Sequence, residues 1–221
     1  MMLRDLLDML RCPASHEESW LVAVLHRAEQ GTIVHADLAC PVCGAEFAVR
    51  DGTADLRLAG AERPAAAVTP QSRSTGRPVD PMRLAALLGV TDVHLPIVLA
   101  GEQARAGSAV AAIVAASQIH VNPPADLAHS ERGASRFLID GALPFGVHTV
   151  AGIALDATHA AEHWTHSAMR VLTLGGHLVA PAFTLVPPTM HELARDEHEW
   201  VAKTTARASG LIELRRRAPP E

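Results

Sequence analysis

The sequence predicts an α/β fold in two parts: a small β module at residues 1–58 and, after a linker at 59–81, a doubly wound three-layer domain at 82–217. Three observations carry this. All three cysteines fall in the first part, two of them in the turn Cys40-Pro41-Val42-Cys43-Gly44, with short apolar segments on either side. The stretch Ala59 to Pro81 has no apolar periodicity and repeats Pro, Ser and Gly, as linkers do. Beyond it, apolar runs alternate with Ala-rich helical segments, the pattern of parallel βαβ units.

In the first part, Met1 to Arg11 sets charges among leucines in helical register and predicts a helix at the head of the module. Trp20 to Leu25, Gly31 to Leu38 and Glu46 to Arg50 read as strands, the last followed by an Asp51-Gly52 turn. In the second part the expected strands are His94–Ala100, Gln118–Val121, Arg136–Ile139, Thr149–Leu155, His177–Pro181 and Leu211–Arg216. The expected helices are Gly107–Ala116, Ala157–Leu172 and Thr189–Ala208.

With 221 residues, 48% apolar and 19% charged, the chain has the composition of a folded protein. No stretch has the roughly 18 uninterrupted apolar residues of a membrane helix, so no membrane association is expected and the default location is cytoplasmic. Three cysteines clustered within residues 12–43 fit a reduced compartment and a local metal site better than a disulfide framework. The net charge of −5 gives no electrostatic ground for binding a polyanion. The module itself is acidic: Arg4, Arg11, Arg27, Arg50 and Arg57 stand against Asp5, Asp8, Glu17, Glu18, Glu29, Asp37, Glu46, Asp51 and Asp55. Direct nucleic-acid binding is therefore not expected. The one basic run, Arg215-Arg216-Arg217, reads as a solvated chain end.

Two thiolates separated by two residues grip a tetrahedral ion when a tight turn carries them, and Gly44 supplies the left-handed conformation that such a turn needs. Cys40 and Cys43 form one half-site. Cys12, with His16 four residues on, offers the other, because the position at the ribbon spacing is Ser15, whose hydroxyl is a poor zinc ligand. His26, His35 and Asp37 are the alternatives to His16. A four-ligand zinc here is structural, since a closed site leaves no position for water or substrate. The same cysteines also admit a metal-free reading as small buried hydrophobes.

The run Leu6-Leu7-Asp8-Met9-Leu10-Arg11-Cys12-Pro13, two strands, and then Cys40-Pro41-Val42-Cys43-Gly44-Ala45-Glu46-Phe47 through Asp51-Gly52 to Leu56 resembles the zinc-ribbon tRNA-methyltransferase activator family. Phe47, Asp51, Gly52 and Leu56 fit its pattern; Ser15 and Ala48 depart from it. The resemblance implies a partner-binding module, the partner being another protein such as a methyltransferase or a component of the translation machinery.

In the second part, Arg170-Val171-Leu172-Thr173-Leu174-Gly175-Gly176-His177-Leu178 and Leu143-Pro144-Phe145 resemble the segments before the fifth and fourth strands of class I S-adenosylmethionine-dependent methyltransferases. The resemblance implies a Rossmann-like domain of methyltransferase type. Carried over residue by residue, the cofactor would meet Gly101, Glu102 and Gly107 after the first strand and Asn122 after the second. The glycine-rich turn keeps only Gly101 and Gly107, and Asn122 stands where a carboxylate holds both ribose hydroxyls. Asp140 lies near the place of an adenine-contacting acid. Asp156 ends the fourth strand and reads first as a helix N-cap. His159, His163 and His166 read as a solvated helix face.

No residue is assigned as catalytic. The expected function is a methyltransferase-like pseudoenzyme with an impaired S-adenosylmethionine site, serving as a structural or regulatory partner. The alternative is an active methyltransferase stabilised by its own fused ribbon.

Overall fold

The structure, a computed structural model, describes residues 2–58, 79–127 and 133–205. Most of the expected linker, the strand expected at Leu211–Arg216 and the basic run at Arg215 lie outside the described residues.

The chain begins with β1 (Met2–Leu3) and a 3-10 turn (Arg4–Met9) in place of the expected α-helix; within that turn only Leu6 is buried. β2 (Val22–Glu29), β3 (Thr32–Ala39), β4 (Glu46–Arg50) and β5 (Thr53–Asp55) form an antiparallel meander. Its two tight reversals, Gln30-Gly31 and Asp51-Gly52, have positive φ at both residues (47° and 80°, 49° and 72°). This is the two-residue hairpin geometry whose twist matches that of the flanking strands.

The second part runs α1 (Pro81–Leu88), β6 (Ile97–Ala100), α2 (Gly107–Ala111), β7 (Gln118–Val121), β8 (Ala134–Leu138), β9 (Val150–Ala154), α3 (Glu162–Val171), β10 (Leu172–Pro181), β11 (Met190–Arg195) and β12 (Glu199–Thr204). Strands β8-β7-β6-β9-β10 lie side by side and parallel, with antiparallel β12 and then β11 completing that end. Leu84, Leu88 and Val110 of α1 and α2 cluster with Ile97 and Leu99 on one face. Trp164, Ala168 and Val171 of α3 join the core on the other face. Helices on both faces of a parallel sheet make a doubly wound α/β unit. Chain order reverses between β6 and β9, so the carboxyl ends of these strands form the crevice where such folds take ligands.

The two parts share one sheet. β5 pairs in parallel with β8, Thr53 opposite Arg136, Ala54 opposite Phe137 and Asp55 opposite Leu138. Leu6, Leu10, Phe47 and Ala54 belong to the same buried cluster as Phe137, Phe145 and Ile153. Without β5, β8 would be an open edge of the parallel sheet.

Further elements differ from the sequence expectation: the helix expected at Ala157–Leu172 begins only at Glu162, after a 3-10 turn at Ala157–His159. Met190 to Thr204 is a hairpin, not a helix. His191, Glu192, Leu193, Ala194 and Arg195 favour helix in isolation, but Trp200, Val201 and Ala202 are buried in succession against β10, and tertiary burial overrides propensity. Asp196 makes the reversal by accepting the backbone N–H groups of His198 (2.8 Å) and Glu199 (2.9 Å). Helix α1 adjoins the stretch read as linker. Its start and stop are written in sequence as Asp80-Pro81 and Gly89: the Asp80 carboxylate accepts from Met82 N and Arg83 N, and Gly89 closes the helix at φ 53°.

On β7, His120 is 1% exposed beneath Gly107, its Nε2 bonded 2.9 Å from Gln118 Oε1. Burial, with the Arg136 charge second, lowers its pKa from 6.5 to about 4. The unfolded chain therefore binds this proton first as pH falls. The stabilisation is full above 6.5 and is lost progressively as pH falls to about 4. Urea denaturation across that interval should show stability falling by an amount on the order of 3 kcal/mol, with a shallower slope in His120→Gln. An equally steep slope in the variant would show that His120 is not the group responsible.

Candidate functional site

The Cys40 turn is fixed by its backbone: Cys40 N donates to Ala45 O (2.9 Å), Gly44 N donates to Cys40 O (3.0 Å), and Gly44 sits at φ 71°. It stands at the end of β3, facing the segment that follows the 3-10 turn. Cys12, His16, Cys40 and Cys43 converge there, their ligand atoms all within 4.8 Å of one another. Cys12 Sγ lies 3.7 Å from Cys43 Sγ, and Cys40 Sγ lies 3.4 Å from His16 Nε2. A zinc tetrahedron with metal–sulfur bonds of about 2.3 Å and metal–nitrogen bonds of about 2.0–2.1 Å has edges of about 3.8 and 3.6 Å, so the four residues fit that ion.

The outer contacts fit it too. His16 Nδ1–H donates to the Glu17 carbonyl at 2.5 Å, which fixes the tautomer and leaves the Nε2 lone pair free for a metal. Burial and the neighbouring Cys40 and Cys43 sulfurs push the Cys12 thiol up to about 12. Against a burial that raises it, the backbone N–H groups of Cys43 and Val42 bring Cys40 down to about 6. A bound cation would favour the thiolate form of these ligands. The alternative ligands lie elsewhere: His26 Nε2 is 2.6 Å from Asp37, and His35 faces Asp51 at 3.8 Å.

The carboxyl edge of the sheet is tied together by its own side chains. Asp156, just after β9, accepts through Oδ1 from Thr158 N (3.0 Å), His159 N (3.1 Å), the Thr158 hydroxyl (2.7 Å) and His159 Nδ1–H (2.6 Å). Its Oδ2 accepts from Glu102 N (2.9 Å), across the turn after β6. Burial works to raise this carboxyl, and the bonds from His159, Glu102 and Thr158 outweigh it, holding the group below the usual carboxylate value. At the end of β7, Asn122 Oδ1 accepts from Ile139 N and its Nδ2 donates to Ile139 O, both at 2.9 Å. The second Nδ2 proton meets His159 Nε2 at 3.1 Å. His159 therefore carries its proton on Nδ1, toward Asp156, and accepts at Nε2, with Trp164 edge-on at 4.7 Å.

Of the residues assigned from sequence to a cofactor, Gly101 sits at φ +57°, and a Cβ there would fall 1.9 Å from Asp156 Oδ2. Glu102 lends its backbone N–H to Asp156, and its carboxylate pairs with Arg105 at 2.7 Å. Gly107 opens α2, where a Cβ would meet His120 Nε2 at 2.6 Å. Asp140 is exposed. Asp156 is an N-cap, as its sequence position predicts. The histidine face divides: His163 and His166 are exposed, but His159 belongs to the preceding 3-10 turn (Ala157–His159) and is 5% exposed. Sequence reasoning missed its pairing with Asn122, which lies 37 residues away and has no local signal.

No protein-family model and no curated protein matches the sequence. Among solved structures, geranyl diphosphate methyltransferase in complex with SAM aligns at TM-score 0.39 and 17% identity, over 45% of this chain and 46% of that one. The antibiotic-resistance methyltransferase Kmr aligns at TM-score 0.37 and 15% identity, over 58% and 94%. The [4+2]-cyclase SpnF aligns at TM-score 0.37 and 16% identity, over 44% and 43%. The chain thus spans about half the length of the first of these.

If the four residues form one zinc centre, purified protein should carry about one zinc per chain. Cys40→Ser and Cys43→Ser should each lose it, while Ser15→Ala should keep it. Elemental analysis checks this, and full zinc content in the Cys40→Ser, Cys43→Ser double variant would remove both as ligands.

Proposed function

We propose that this chain is a methyltransferase-like protein that does not catalyse methyl transfer and acts, through its zinc-ribbon module, as a structural or regulatory partner of another protein. A methyltransferase or a component of the translation machinery is the partner class that the ribbon resemblance implies. The segments resembling class I methyltransferases lead into β9 and β10, the fourth and fifth strands counted from β6, as that resemblance requires.

The observation that carries the non-catalytic reading is the Asn122 side chain, whose amide is used at both ends by Ile139 and His159. An acceptor for ribose hydroxyls must have free lone pairs facing the crevice. Asn122 commits one oxygen lone pair to a backbone N–H and both amide protons to Ile139 and His159, and so lacks the pair of free acceptors that a carboxylate would offer. The space beneath Gly101 holds the Asp156 carboxylate, so the turn that would pass under a cofactor is closed by the protein itself. These residues do not fit S-adenosylmethionine as they stand, and no chemical step is assigned to the edge.

The active-enzyme alternative draws on one group, Gln103 Oε1. This oxygen is buried in the turn after β6 with no hydrogen-bond partner among the described residues.

Titration calorimetry of the full chain with S-adenosylmethionine discriminates the two. No saturable heat is expected. Saturable binding at micromolar affinity would overturn the non-catalytic reading, and loss of that binding in Gln103→Leu would assign it to the turn.

A further inference from the structure

Residues 2–12 run as a strap from the edge of β3, across the core, to the metal centre. Just before Cys12 the strap is sewn to the loop ahead of β9. Gly146 N donates to Met9 O (2.8 Å) and Arg11 N donates to Pro144 O (2.9 Å). Between them Leu10 and Phe145 face each other as an antiparallel bridge, both fully buried. The side chains repeat the connection. Arg11 Nε donates to Glu18 (2.9 Å), Arg170 reaches the same carboxylate (3.2 Å), and Arg170 also donates to Leu143 O (2.8 Å). Gly146 is small enough for the Arg11 guanidinium to lie over it: a Cβ there would be 2.8 Å from Arg11 Nη2.

Cys12 is the next residue in the strap, and its N–H is bonded to Ser19 O at 2.9 Å. The partner ligands Cys40 and Cys43 come from the turn between β3 and β4, which the β5–β8 pairing anchors to the same sheet. A metal held by all four residues therefore closes a ring of contacts that the strap's docking opens or completes.

We infer that metal occupancy at Cys12, His16, Cys40 and Cys43 and docking of the strap on residues 143–146 are one coupled equilibrium, each stabilising the other. This rests on the metal reading of the cluster and adds to it a role for the ion: it controls the seam between the ribbon and the methyltransferase-like unit. Linkage makes the effect reciprocal, because a ligand that binds only the docked strap must bind more weakly when docking is impaired.

The test uses the full chain, loaded with zinc and then stripped by a chelator. Zinc content is measured first. Chelation should then speed amide exchange at Gly146 and Arg11 about tenfold or more, while Val98 and Ile153 in the parallel strands keep their protection. In the reciprocal arm, chelator competition should show zinc affinity weakened about tenfold in Phe145→Ala and several-fold in Arg170→Ala, neither of which removes a ligand. Arg170→Ala decides should Phe145→Ala not fold. Stoichiometric zinc with unchanged exchange at Gly146 after chelation overturns the coupling and leaves the metal centre standing, as does parental zinc affinity in Arg170→Ala. Absence of bound zinc overturns the metal reading and this inference together.

Discussion

The parallel ladder between Thr53–Asp55 and β8 is short, yet it joins the two described parts into one sheet. A five-strand parallel sheet has two edges, and here one is taken by the β12–β11 hairpin and the other by β5. Because β5 is also the last strand of the N-terminal meander, protecting the edge and attaching the module are the same event. Side-chain alternation then does the rest. Ala54 and Phe137 pair on the side that carries α3, and the strap's Leu6 and Leu10 enter the same core. A register slip of one residue would turn Ala54 outward and Asp55 inward, so the apolar pattern fixes how the halves meet.

The crevice at the carboxyl edge is bridged by the protein's own side chains. Strand ends in a parallel sheet present backbone groups that need partners, and a bound ligand is one way to supply them. Here Asp156, His159 and Asn122 supply them instead, linking the ends of β6, β7, β8 and β9. A ligand entering there would have to displace these bonds, and each buried polar group left unpaired costs about 1–3 kcal/mol. Gly101 has a structural requirement of its own: its φ is left-handed, and a Cβ there would fall 1.9 Å from the Asp156 carboxylate.

Much of this was legible in the residues. β4, β7 and the Asp51-Gly52 turn follow from local pattern alone, and the convergence of Cys12, His16, Cys40 and Cys43 follows from donor chemistry and spacing. What was not legible depends on distant contacts. The hairpin at β11–β12 reads as a helix because its outer strand is solvent-facing and built of helix-favouring residues, while the reason for its strand state lies in β10. Helix α1 was readable from Asp80-Pro81 and Gly89, but its short length and the Pro-rich stretch before it hid those signals. The burial of His159 required knowing that β7 and β9 end on either side of β6, which no local window contains.

Ser15 offers no good zinc ligand, and the neighbouring His16 is the residue that reaches the cluster. Its imidazole presents Nε2 3.4 Å from Cys40 Sγ. The Glu17 carbonyl holds the ring through Nδ1. The module is small, and the β5–β8 ladder ties one end of it to the sheet, while a metal held by the Cys12, His16, Cys40 and Cys43 cluster would tie the other. The strap joins these ends, since Leu10 is buried against Phe145 and Cys12 reaches the cluster two residues later. Changing either end therefore changes the constraint on the other.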